Sequence, residues 1–209
     1  MALEVVALPA GIYPDVQRLT PDVGPGQAVS ESFIGSQNVQ TFRGAERWRL
    51  EMQFNDLTDA SRAEMMAFVV NLRVAHNVFL CVNHTAPQRG SRLGTPTVIG
   101  SASGMNMNLQ GCTQNSFWLR AGDFISVNSM LKMQLRDTAA TAGGICSLYL
   151  WPPFAATVTS GTPVVVSSPC GAFRMLSAVP ISTDPPGYRT SLSITAVERV
   201  TSSALADFL

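Results

Sequence analysis

Between residues 46 and 55 apolar and polar side chains alternate strictly, with Trp48, Leu50, Met52 and Phe54 set between Arg47, Arg49, Glu51 and Gln53. A period of two places successive side chains on opposite faces, so this run predicts a strand with one buried and one wet face. The period then changes. Met65, Phe68, Val69 and Leu72 recur at helical spacing, which predicts a helix over about 58–73 with its apolar stripe packed on a sheet. Thr58 or Asp59 can supply the N-cap, and Ser61-Arg-Ala-Glu64 also fits a capping box. Strand pattern returns at Val78–Val82 and completes a strand, helix, strand unit.

Residues 1–30 are interrupted by Pro9, Gly11, Pro14, Pro21, Gly24, Pro25 and Gly26, which predicts an extended arm that finds its order on a neighbour. Pro87-Gln-Arg-Gly90-Ser-Arg-Leu-Gly94-Thr-Pro96 has the composition of a linker. Beyond it, short runs between turn residues predict strands at Thr97–Ala102, Asn106–Cys112, Ser116–Arg120, Phe124–Val127, Leu131–Leu135, Ile145–Trp151 and Val164–Ser167. That spacing suits a small barrel or sandwich. Ala172–Ala178 and Ser191–Arg199 add two strands, the last able to rejoin the first sheet. The expected fold is mainly β with one helix: a first β unit from residues 1–86 with 171–209, and a small β domain, inserted or appended, over 87–170.

Composition adds an expectation about partners. Charged residues are 13% of the chain, against roughly 25% in an ordinary soluble domain. So little charge predicts that part of the surface is covered by another subunit. Net charge is zero, no run of basic residues occurs, and Lys132 is the lone lysine, so a phosphate-backbone footprint is absent. Met1-Ala-Leu-Glu4 lacks the basic start of a secretory signal, and no apolar run approaches membrane-spanning length, so no membrane insertion is expected. Cys81, Cys112, Cys146 and Cys170 lack ligand spacing and are expected as free thiols without disulfide or zinc. Asn83-His84-Thr85 has the form of a glycosylation sequon only, because the expected compartment lacks that chemistry.

Candidate chemistry is thin. His76 and His84 stand in no nucleophile or metal motif, and no Gly-x-Ser-x-Gly elbow occurs. Gly100-Ser-Ala-Ser-Gly104 and Thr141-Ala-Gly-Gly144 lack the Lys-Ser/Thr of a phosphate loop and read as turns. Asp123 after Gly122, and Asp137, fit turn residues whose carboxylates accept nearby amides. Phe117, Trp118, Tyr149 and Trp151 are the candidates for stacking on a sugar, Trp118 above all, while Trp48 and Trp151 sit in runs typical of core. No catalytic, cofactor-binding or metal-ligating residue is nominated, and no cofactor is expected.

Several segments together carry a resemblance. Gly44-Ala-Glu-Arg-Trp48-Arg-Leu50-Glu-Met52-Gln-Phe54 leads into the helix and Val78–Val82; Ala121-Gly-Asp-Phe-Ile125 opens a strand; Phe173-Arg-Met-Leu176 and Leu192–Glu198 follow. In this grammar the chain resembles the distal tail proteins of long-tailed bacteriophages. The resemblance implies a tail-tube-like split β-barrel and a second β domain. It also implies a homo-hexameric ring at the virion tail tip, assembled in the host cytoplasm, between the tail tube protein and the baseplate hub or tail fibre proteins. DNA would pass through the ring without being specifically bound, and no enzyme activity is implied. The segment after residue 90 departs from the galectin-like sandwich frequent in that family. The alternative from another class is a carbohydrate-binding β module, favoured if Trp118 and Trp151 share an exposed face. A small hydrolase using Asp123 or His84 ranks below both.

Overall fold

The alternating run forms β5 (Arg47–Leu57), with Trp48, Leu50, Met52, Phe54 and Leu57 buried and Arg49 and Gln53 exposed. The computed structural model describes residues 4–22, 27–31, 37–41, 46–72, 77–83, 88–176 and 190–199. Strand β5 lies in a six-stranded sheet ordered β1 (Val5–Val6), β6 (Val78–Val82), β14 (Cys170–Met175), β15 (Thr190–Glu198), β5 and β2 (Val16–Asp22). Only the β1–β6 pair in it is parallel. The sheet is rolled: the Gln17 carboxamide on edge strand β2 donates to the Val82 carbonyl on β6 at 2.9 Å, although the two strands stand near opposite ends of the order.

The helix expected over 58–73 is α1 (Asp59–Leu72). Its N-cap is Thr58, whose hydroxyl accepts the Ser61 amide, leaving Asp59 inside to pair with Arg62 at 3.1 Å. At the other end buried Asn77 takes up loose carbonyls, donating from its backbone to Leu72 and from its side chain to Asn71. The apolar stripe of Met65, Phe68, Val69 and Leu72 is buried, and Phe68 meets Phe79 edge-on with ring centroids 5.6 Å apart. Replacing Phe68 with Ala should therefore lower stability by about 3–5 kcal/mol; an unchanged thermal midpoint would remove this face from the core.

The second sheet has five strands in the order β13 (Val164–Val165), β9 (Phe124–Val127), β10 (Met130–Gln134), β12 (Cys146–Val158) and β7 (Gly94–Cys112). A bridge from Thr97 to Pro163 and a hydrogen bond from the Val98 amide to Thr162 bring β7 back beside β13, so the sheet is a nearly closed barrel. A two-residue turn at Asn128 and Ser129, both at positive φ, joins β9 to β10 in a tight hairpin. Two smaller ribbons pair β8 (Asn115–Leu119) with β11 (Thr138–Ala140), and β3 (Gln27–Glu31) with β4 (Gln37–Thr41).

Several expectations are corrected. The N-terminal arm is not separate from the fold, since β1 and β2 are strands of the six-stranded sheet and Ile12 lies in its core. Pro21 is tolerated because β2 is an edge strand, where a missing amide leaves no ladder bond unmade on the open side. The runs at Thr97–Ala102 and Asn106–Cys112 are one strand, β7, because Gly100 and Gly104 adopt positive φ and bend the chain without ending it. Strand β13 is shorter than the run that suggested it, and β11 has no counterpart among the predicted strands. Strands of the first sheet come from residues 5–82 and 170–198, those of the second from 94–165. The two share a core: Phe124, Leu131 and Trp151 of the second cluster with Trp48, Leu50 and Phe173 of the first.

Candidate functional site

The junction between the sheets is packed with aromatic rings and buried hydrogen bonds. Trp48 stacks edge-on against Trp151, with centroids 4.6 Å apart, and lies 5.4 Å from Phe124. Both indoles place their one donor: Trp48 Nε1 on the Leu131 carbonyl at 3.1 Å, and Trp151 Nε1 on the Glu46 carboxylate at 2.8 Å. The Glu198 carboxylate at the end of β15 crosses the junction and accepts the amides of Leu131, at 2.6 Å, and of Trp48, at 3.5 Å. Lys132, next to Leu131, is also buried; its Nζ donates to the Pro153 carbonyl at 3.3 Å and lies 4.7 Å from the Phe154 ring centroid.

Burial sets the electrostatics here. It pushes the Glu198 carboxyl up to about 7, against the pull of Lys132 and the two amides, and it brings the Lys132 amine down to about 8 against the pull of Glu198. The hydrogen bonds of these two groups tie the sheets together. What they do is fix the register of β10 against β15 and β5.

A second feature is an open groove of about 280 Å³ at the seam of the rolled sheet, lined by residues 8–14 with Gln17, Met52 and Leu80–Val82. Its walls are mainly apolar. Gln17 Nε2 donates to Cys81 Sγ at 3.0 Å, and Cys81 faces Met52 Sδ at 4.0 Å. Burial raises the Cys81 thiol to about 12, more than the Gln17 hydrogen bond lowers it, so the sulfur stays protonated and is a poor nucleophile.

The residues singled out in the sequence do not converge on chemistry. His76 and His84 lie outside the described residues. Asp123 is buried and accepts three backbone amides, Arg89 on Oδ1 and Gly90 and Arg120 on Oδ2, all at 2.8–2.9 Å. Asp137 accepts the Ala121 amide. Trp118 is fully buried, with Nε1 on the Leu93 carbonyl, and Trp151 is buried at the junction, so neither offers a platform for a sugar ring. Phe117 is exposed and Tyr149 half-buried, each beneath an arginine, Arg120 and Arg136 respectively. Cys81, Cys112 and Cys146 are buried and Cys170 is half-buried. Among the described residues no group of three His, Cys, Asp or Glu side chains is placed to hold a metal, and no helix is long and apolar enough to cross a membrane.

Two elements of the junction escaped the sequence reading. Lys132, the lone lysine, sits in the apolar run Met130–Met133, and Glu198 follows the alternating strand Leu192–Val197. A charge embedded in such a strand is the signal that was available, since buried charges demand partners. Compared with protein-family models and with curated proteins, the chain matches none.

Proposed function

We propose that the chain is a structural virion protein that forms a ring at the distal end of a bacteriophage tail. The ring joins the tail tube to the baseplate or receptor-binding tip and leaves a channel for DNA. The observation that carries this reading is the β3–β4 ribbon, which among the described residues forms a two-stranded sheet of its own. A lone two-stranded ribbon is marginal in water, so it is a part made for a neighbour. Edge strand β2 and the scarcity of charge favour the same conclusion, because side faces that repel little can meet head to tail and close a cyclic oligomer. The resemblance sets the number of subunits at six. The lack of any basic run suits a conduit that must pass DNA without retaining it. The carbohydrate-binding alternative depended on exposed Trp118 and Trp151, and both side chains are buried.

The ribbon can be tested without harming the sheet. Asp22 and Arg47 face one another at the end of the β2–β5 ladder, so an Asn-Gly turn can replace residues 23–45 while Glu46, the acceptor of Trp151 Nε1, is kept. Light scattering of the intact chain, alone or with a tail-tube partner, should give the mass of a hexamer. The shortened chain should keep its thermal midpoint and lose that mass. An intact protein that stays monomeric with every neighbouring tail component, or a ring that survives the excision, would defeat the reading.

A further inference from the structure

Of the four free cysteines, two meet. Cys112 ends β7 and Cys146 begins β12, and these are neighbouring strands of the five-stranded barrel. Cys146 stands directly opposite Leu109, so their side chains share a face. Strict alternation from Leu109 would turn Cys112 to the other face. It turns inward instead, because Gly111 takes a positive φ of 79° and adds a residue to the stretch: Leu109 and Cys112 are buried, with Gln110 and Gly111 both exposed between them. The Cys112 amide then donates to the Gly144 carbonyl at 3.1 Å, and the two cysteines enter the same apolar core. There their side chains are hydrogen-bonded to one another.

The other two cysteines make the contrast. Cys81 on β6 faces Gly171 on β14, whereas Cys170 faces Val82. One step of register separates them, so their sulfurs lie on opposite faces of the sheet. The hydrogen bond within the first pair divides its two thiols. It raises the Cys112 thiol, with burial acting in the same sense, and it lowers the Cys146 thiol against burial. Cys146 is therefore the first to ionise, and the thiolate is the reactive form. Access to it is local. Both cysteines are buried, but Thr113 and Ile145 beside them are exposed, and a ladder end opens at lower free energy than the middle of a core strand. Gly111, Gly143 and Gly144 flank the pair, so any backbone shift that closing a sulfur–sulfur bond requires falls on residues free to make it.

We propose that Cys112 and Cys146 form a reversible disulfide that staples β7 to β12 when the chain meets a small-molecule disulfide as oxidant. The Cys146 thiolate attacks one sulfur of the oxidant, which makes a mixed disulfide and releases one thiolate. Cys112 loses its proton to solvent, attacks the Cys146 sulfur and expels the second thiolate. One sulfur–sulfur bond breaks and one forms, the two protein thiols give up two electrons, and the reduced oxidant takes up both protons. The staple does not depend on a ring, and a monomer forms it. To test it, the reduced full chain is equilibrated with excess oxidised glutathione at about pH 8, near the ordinary range of a free thiol. It is then unfolded in urea with N-ethylmaleimide and mapped by peptide mass. The peptides that hold Cys112 and Cys146 should be joined and free of maleimide. The folded, oxidised chain should melt at a higher temperature than the reduced one, fall back on addition of dithiothreitol, and show no such rise in Cys112→Ala. Maleimide on Cys112 and Cys146 after oxidation, glutathione held on either without closure, a linkage to Cys81 or Cys170, or a joined chain that melts like the reduced one would overturn the proposal.

Discussion

Replacing Lys132 with Met is expected to destabilise the protein by about 3–5 kcal/mol at pH 7.5, where both groups are mainly charged, the range for removing one partner from a buried pair of charges, and by clearly less at pH 5. Glu198 is 2% exposed and Lys132 3%. Burial holds the Glu198 carboxyl at about 7, above its ordinary 4.5. A carboxyl raised in this way favours folding once protonated, so its contribution is complete below about 4.5 and is lost as pH rises through about 7. Lys132 runs the other way: held at about 8 rather than 10.5, it contributes stability above 10.5 that is lost as pH falls through 8. The pair is thus at greatest cost between pH 7 and 8. Without the ammonium the carboxyl climbs further, and the variant recovers on acidification because Glu198 is then neutral.

Urea-unfolding midpoints at pH 5 and 7.5 measure this directly. Adding Glu198→Gln to Lys132→Met should restore much of the loss at pH 7.5, because the amide oxygen still accepts from the Leu131 backbone and no charge remains to be buried. Equal losses at both pH values would mean that Lys132 stabilises through its hydrocarbon stem against Phe154.

The same pair marks the boundary of what the sequence discloses. Strand β5, helix α1 and strand β6 were legible because their signals are local: a period of two, a helical stripe, a cap. Thr58 settles the start of α1 through a bond spanning three residues. The N-terminal arm was misjudged because its prolines carry the composition of a loop, whereas an edge position makes them harmless in a strand. The glycines of β7 misled in the same way, marking a bend in one strand rather than a break between two. The junction depends on contacts of long range. Glu198 reaches Leu131 across 67 positions and Trp48 across 150, and no local pattern encodes which amide a distant carboxylate will find. For Asp123 the sequence identified a turn acid, which the Arg120 amide bears out, but not the two donors that arrive from residues 89 and 90.

Those two donors make Asp123→Ala the other substitution of large effect. The carboxylate gathers three amides within 2.8–2.9 Å and ties the segment after β6 to the turn that leads into β9. Truncation leaves all three without their acceptor, at about 1–3 kcal/mol for each that stays buried. A loss of at least about 3 kcal/mol is expected on that basis. Gln88 cannot hold the segment alone, although its side chain brackets Phe124 with two hydrogen bonds of 2.9 Å. Asp123→Asn separates hydrogen bonding from charge. Its single carbonyl oxygen can serve one side, while its NH2 turns a donor toward donors on the other, so it should lose nearly as much stability as alanine. Hydrogen exchange gives the local readout: the amides of Arg89, Gly90 and Arg120 should lose protection in both variants before the strands of the barrel do. A variant with alanine at 123 that melts like the parent and keeps those amides protected would show that residues 88–92 are held by packing. Gly90 would then be their anchor, since its α-carbon lies so close to the Trp118 carbonyl and Leu119 that a methyl group there would come within 2.3 Å of backbone.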